Sequence, residues 1–155
     1  MDDRVLIRGN LGFCQQHDVL FESLTCREHL ILASEVKGVP QSEVNSQIEE
    51  VIEELLIFEE SDIAVKNLSR GMRRRVSIAV ALIGQPKLII MDEPSAGLDQ
   101  ESKENLWSII KKLKVGRSII ISTQHLEEAD ALSDRICIMS HGHVLAMDTA
   151  FQIKK

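Results

Sequence analysis

Two acids in adjacent positions close the run Leu88-Ile89-Ile90-Met91-Asp92-Glu93. A short apolar run that ends in carboxylates describes a buried strand whose C-terminal end opens onto a crevice, where open α/β sheets bind ligands. Asp92 there could hold Mg²⁺, directly or through water, and Glu93 could polarise a water for attack on a phosphate. The pair reads as readily as a strand running out into solvated acids. Four further segments carry chemistry of the same kind. Leu68-Ser69-Arg70-Gly71 precedes a helical period. Ser69 suits the N-cap and Gly71 permits close backbone approach, so the helix start is either an anion site or simply a capped helix. Ser95-Ala96-Gly97-Leu98-Asp99 turns the chain away from the acidic pair, with Asp99 placed to cap the next helix. Ser122-Thr123-Gln124-His125 ends another apolar run, and Gln15-Gln16-His17-Asp18 follows an earlier one. Each segment is weak alone; their order and spacing are not.

The elements that must position these residues alternate between short apolar runs and helical periods, the pattern of an α/β protein with a mostly parallel sheet. The expected strands are residues 11–14, 88–91, 118–122, 136–139 and 144–147. The unbroken runs 88–91 and 119–121 predict central strands covered on both faces. A long helical stretch separates the first two strands, with Val44, Ile48, Val51, Ile52, Leu55 and Leu56 at helical spacing after Pro40 and Ser42. A second helix carries Met72, Val76, Ala79, Val80 and Ile83 and stops near Gly84 and Pro86. A third carries Leu106, Ile109, Ile110 and Leu113 and ends at Gly116, and a shorter one follows His125. His141-Gly142-His143 predicts a hairpin turn between the last two strands. There are no repeats and no low-complexity linker.

Composition narrows the class. The chain has 155 residues, 44% of them hydrophobic and 27% charged, as in a packed domain rather than a disordered one. No stretch approaches the about 18 apolar residues of a membrane-spanning helix. The start, Met1-Asp2-Asp3, has neither the basic region nor the apolar run of a signal peptide. Net charge is −6, with Lys and Arg dispersed except at Arg73-Arg74-Arg75, which argues against nucleic acid as the partner. Cys14, Cys26 and Cys137 form no C-x-x-C pair and are expected to be reduced thiols, not zinc ligands or a disulfide framework.

Together these segments resemble the nucleotide-binding domains of ABC transporters, and within them the A-type, lipid-exporter-like subfamily. The likeness runs from about Val5 to Lys155. LGFCQQHDVLFESLTCREHL is similar to that subfamily's Q-loop region, LSRGMRRRVSIAVALIG to its signature motif and following helix, KLIIMDEPSAGLD to Walker B with the D-loop, and STQHLEEADALSDRICIMSHGHVLAMDT to the switch strand and its continuation. The resemblance implies a P-loop NTPase-like core with a helical subdomain over about 24–66, followed by signature, Walker B, D-loop and switch over 67–155. It implies ATP and Mg²⁺ as cofactors, a second nucleotide-binding domain and transmembrane domains as partners, and a place at the cytoplasmic face of a membrane. Gln16 would sense Mg²⁺ and the attacking water and couple to the membrane part. Ser69 and Gly71 would bind the γ-phosphate of ATP held by the opposite cassette. Asp92 would serve Mg²⁺, Glu93 would be the general base, and Asp99 would communicate across the dimer.

Three departures bear on activity. No G-x-x-x-x-G-K-[ST] loop occurs in the 155 residues, so the expectation is a C-terminal portion of a cassette that alone binds ATP poorly and does not hydrolyse it. Arg70 stands where the family has glycine, and either adds a phosphate contact or blocks close approach. Gln124 occupies the place of the switch histidine, and His125 is one position late, which on a strand turns it to the other face. Besides a transporter ATPase, the sequence therefore admits a degenerate cassette that lends only Ser69 and Gly71 to a partner's site. A soluble ABC protein acting on ribosomes or DNA is disfavoured by the exporter-like REHL and LSRGMRRR segments. An α/β core of this extent is also expected to expose sheet edge and apolar faces and to be poorly soluble alone.

Overall fold

The computed structural model describes Ile7 and residues 9–154, and divides into two compact units at Ser122 and Thr123. The first unit is built on three parallel strands, β1 (Leu11–Cys14), β2 (Leu88–Asp92) and β3 (Ser118–Ser122), in that order across the sheet. Leu88 lies opposite both Leu11 and Ser118, so Cys14 pairs with Met91 and Asp92 with Ser122 at the C-terminal ends. Of the two apolar runs expected to be central, only β2 is so among the described residues. β3 forms one edge of this sheet, and Ile120 is 55% exposed. An unbroken apolar run records low polarity along a strand but not how many neighbours the strand has. On β2 itself, Ile89 and Met91 are wholly buried, while Leu88, Ile90 and Asp92 on the opposite face are half-buried.

Between β1 and β2 run α1 (Cys26–Lys37), α2 (Gln41–Glu54), a short 3-10 turn (Val65–Asn67) and α3 (Arg70–Leu82). The stretch read as one helical region is thus two helices before α3. Pro40, which has no N–H to continue a helix, stands at the break and opens α2. A capping box starts α1: Thr25 Oγ1 accepts from the Glu28 N–H at 3.1 Å and a Glu28 carboxylate oxygen from the Thr25 N–H at 2.7 Å. α2 buries Val44, Ile48, Val51 and Ile52, the i, i+4, i+7, i+8 stripe of an amphipathic helix. Each such side chain contributes about 1.5–3 kcal/mol on burial.

α3 lies against β1. The approach is close enough that a Cβ on Gly12 would sit 2.5 Å from the Ala81 carbonyl oxygen, so only glycine fits that strand position. Arg117, just before β3, makes a two-pronged ion pair with Glu54 at the end of α2, at 2.9 and 3.2 Å, tying the sheet to the helical insert. α4 (Gln100–Leu113) joins β2 to β3 and buries Leu106, Ile109, Ile110 and Leu113, as its periodicity predicts.

The second unit contains α5 (Leu126–Leu132), an antiparallel hairpin of β4 (Ile136–Ser140) and β5 (His143–Asp148), and the short α6 (Ala150–Ile153). The hairpin turns at His141 and Gly142, where the sequence predicts it. No helix among the described residues is long and apolar enough to cross a membrane.

Candidate functional site

Asp92 is the last residue of β2, and its carboxylate accepts a short hydrogen bond from the Ser122 hydroxyl on the neighbouring strand. Glu93 follows with its N–H donated to the Ser122 carbonyl at 2.9 Å. Its φ is +46°, the left-handed region, which costs a non-glycine residue about 1–2 kcal/mol and persists only where its surroundings hold it. Here the Glu93 carbonyl accepts from the Ala96 N–H at 3.1 Å and from Arg74 at 3.2 Å. The chain therefore leaves the strand in a sharp turn at two consecutive half-buried acids.

Arg74, in the first turns of α3, is 4% exposed and gathers this end of the sheet. Its Nε donates to the Pro94 carbonyl at 2.8 Å, and its Nη2 to the carbonyls of Asp92 at 2.8 Å and Glu93 at 3.2 Å. Its Nη1 turns to the loop after β1, donating to the carbonyls of Gln15 at 2.5 Å and Gln16 at 3.4 Å and to the Asp18 carboxylate at 3.2 Å. The same Asp18 oxygen accepts from the Ser77 hydroxyl at 2.7 Å. Gln16 thus meets the acidic pair through its backbone, and its side chain is exposed.

The second cluster joins two helix starts. Ser69 caps α3, its Oγ accepting from the Met72 N–H at 3.2 Å. Asp99 caps α4, accepting from the Ser102 N–H at 2.9 Å and the Ser102 hydroxyl at 2.8 Å, and these bonds hold its carboxyl below its ordinary range. A Cβ on Gly71 would lie 3.1 Å from the Ser102 hydroxyl, so the two helix starts, each the positive end of a dipole, sit side by side. Arg70 folds back over the intervening turn. Its Nη2 lies 3.5 Å from the Ala96 carbonyl, and its guanidinium fills the space a side chain on Gly97 (φ +70°) would need.

Asp92, Glu93 and the Gln16 backbone are therefore brought together, as are Ser69, Arg70 and Gly71 with Asp99. Gln124 stands in the second unit, exposed, two residues beyond β3. Two residues to which the sequence assigns no role, Arg74 and Ser77, hold the first cluster together with Asp18, the last residue of the Gln15–Asp18 segment. One signal was available: Arg74 heads the stripe Arg74, Ile78, Ala81, Leu82 at i, i+4, i+7, i+8, all buried.

The donors at the β2 end are a carboxylate and a hydroxyl, and no group of three or more His, Cys, Asp or Glu converges among the described residues. That suits Mg²⁺, which binds through one or two carboxylates with water and phosphate oxygens completing its shell, rather than a dedicated protein cage.

Acids at the C-terminal end of a parallel sheet, with two capped helix starts and a helical insert, place the chain among α/β proteins that take their ligands at that end of the sheet. Comparison with known proteins agrees. Residues 1–96 match the family described as ABC transporter. The chain is 46% identical over 136 residues to human ATP-binding cassette sub-family A member 2, covering 88% of the chain and 6% of that protein. It is 43% identical over 148 residues to ABC transporter A family member 2 of Arabidopsis thaliana, covering 96% of the chain and 15% of that protein. It is 37% identical over 148 residues to the human retinal-specific phospholipid-transporting ATPase ABCA4, covering 96% and 6%. Among solved structures, cbiO1 of Clostridium perfringens, part of the ABC transporter complex cbiONQ, superposes with a TM-score of 0.85 at 25% identity, over 95% of this chain and 60% of that one. The chain belongs to the ABC transporter family, as part of an A-type nucleotide-binding domain. It spans only 6–15% of the length of these curated relatives.

Proposed function

We propose that the chain is a portion of an ATP-binding and ATP-hydrolysing cassette that powers transport, of lipid, across a membrane. The observation that carries this reading is the Asp92–Glu93 pair at the end of β2, the first acid bonded to Ser122 and the second held in a sharp turn. Lipid as cargo rests on the A-type relatives, one of them a phospholipid-transporting ATPase.

In this reading Asp92 and, through water, Gln16 hold Mg²⁺, which neutralises phosphate charge when bound. Glu93 accepts a proton from the attacking water. The Ser69 hydroxyl and the Gly71 N–H donate to the γ-phosphate of ATP bound by a second nucleotide-binding domain. Asp99 carries the state of one site to the other, and Gln124 is the residue at the switch position, without the charge that the family's histidine can carry. The helical insert over about 24–66 docks on transmembrane domains, placing the cassette at the cytoplasmic face of a membrane. With no phosphate loop among its 155 residues, the chain by itself is inactive.

The second reading, a degenerate cassette that serves only its partner's site, is favoured by Gln124 and by Arg70, whose guanidinium occupies its own chain's turn. Phosphate release by the full-length protein separates the two. Glu93→Gln is expected to lower kcat by about 10²–10⁴-fold, the usual contribution of a general base. An unchanged rate in that variant would leave the degenerate reading standing.

A further inference from the structure

We propose that Arg74 is a positioning residue for hydrolysis, holding the Gln16 loop and the Asp92–Glu93 strand end in one fixed register; this rests on the catalytic reading of those residues. β1 and β2 are neighbouring parallel strands that finish together, Cys14 beside Met91. Beyond that point nothing in the sheet ladder fixes the two chains to each other, since Gln15–Asp18 and Glu93–Pro94 belong to no strand. Arg74 reaches both. Its Nη1 serves Gln15, Gln16 and Asp18 on one side, and its Nη2 and Nε serve Asp92, Glu93 and Pro94 on the other. Five N–H groups meet six oxygens, so the guanidinium is saturated and has no donor left for solvent or substrate.

Planarity is what makes this a gauge rather than a glue. The fork fixes the distance and tilt between the two sets of carbonyls, and a lysine, with three donors at one point, cannot satisfy both. Asp18 compensates the buried charge, and Ser77 orients Asp18 from one turn further along α3. α3 also begins at Ser69 and Gly71. The helix whose start faces a partner's phosphate therefore carries, one turn on, the side chain that sets its own chain's acids. A shift of α3 on closure would move the Gln16 loop and Glu93 together.

The test compares Arg74→Lys, Asp18→Asn and Glu93→Gln in the full-length protein, reading melting temperature, kcat and KM for ATP, and amide hydrogen exchange. Arg74→Lys is expected to lower kcat at least tenfold, about 1.4 kcal/mol of barrier, with KM within threefold. Exchange should rise together in 15–18 and 92–96. Asp18→Asn, the milder change, should lower kcat two- to fivefold with the same exchange pattern, and it decides the matter if Arg74→Lys fails to fold. A folded variant with wild-type kcat, or exchange that rises in only one segment, overturns the proposal. Should Glu93→Gln keep full activity, the catalytic reading has failed, and paired or unpaired exchange in the Arg74 and Asp18 variants still decides whether the two segments are coupled.

Discussion

Replacing Gly97 by alanine tests the contact between the two helix starts. Gly97 has φ +70°, and an alanine held there costs about 1–2 kcal/mol. The lower entropy of the unfolded chain returns about 0.4–1 kcal/mol of that. A second cost is specific to this chain: the new Cβ would lie 2.5 Å from Cζ and 2.7 Å from Nη1 of Arg70, so the guanidinium must leave the turn and its Ala96 contact. We expect Gly97→Ala to destabilise by roughly 1–2 kcal/mol in the native background, but about 1 kcal/mol or less when Arg70 is already alanine. The difference, about 0.5–1 kcal/mol, is the coupling of neighbours in contact. For a chain of this size each kcal/mol moves the melting temperature by about 2–4 °C. Trp107, the sole tryptophan, lies in α4 directly beyond this turn, so its fluorescence follows unfolding of the relevant unit. Equal losses in both backgrounds would mean that the guanidinium does not occupy the turn.

Two further outcomes follow from buried groups. Burial pushes the Cys14 thiol up to about 11 and the Cys26 thiol up to about 12, and both side chains are inaccessible, whereas Cys137 is exposed. A maleimide at pH 7 should therefore label one thiol promptly at Cys137 and reach the other two only on denaturation; mass spectrometry that found early label on Cys14 or Cys26 would contradict the packing. Lys37 donates to the Ala81 and Ile83 carbonyls at the end of α3, and burial lowers it to about 8 from 10.5. Between those values the unfolded chain binds more protons than the folded one, so this group's contribution to stability rises with pH over about 8–10.5. The neutral amine keeps two N–H donors, so both bonds survive. Urea titrations at pH 8 and pH 10 should show that rise diminished in Lys37→Met, and an identical pH dependence in the two proteins would refute it.

Much of this architecture was legible because local chemistry dictates it. Ser69 and Asp99 are good caps and they do cap; the stripe of α4 is buried throughout and that of α2 as far as Leu55, whereas on α3 Met72 and Val80 are half-buried and Ile78, Ala81 and Leu82 join Val76 and Ala79 inside instead. The five strands begin or end within a residue of the apolar runs that mark them. What the sequence withheld depends on contacts between distant segments. Ile119-Ile120-Ile121 reads as central, but the number of neighbours a strand has is a property of the sheet, and β3 lies at this one's edge. Arg74 hides within a basic triplet whose members differ only in which way the helix turns them. Arg73 is half-buried and pairs with Glu22, Arg75 reaches the Leu56 carbonyl, and Arg74 goes inside. Arg70 resolves in the same manner. Its type leaves open a phosphate contact or a block to close approach, while its neighbours put it across Ala96 and Gly97, where no pattern along the chain would look.

The left-handed backbone at Glu93 has a meaning for how this chain can vary over time. Asparagine or glycine would relax that residue by something like 1 kcal/mol, and each lies only a few nucleotide changes away. A lineage filtered for stability alone would tend to drift toward them. If Glu93 is the general base proposed above, that role is held at a cost to the fold, and a cassette that gave it up could take the stability back.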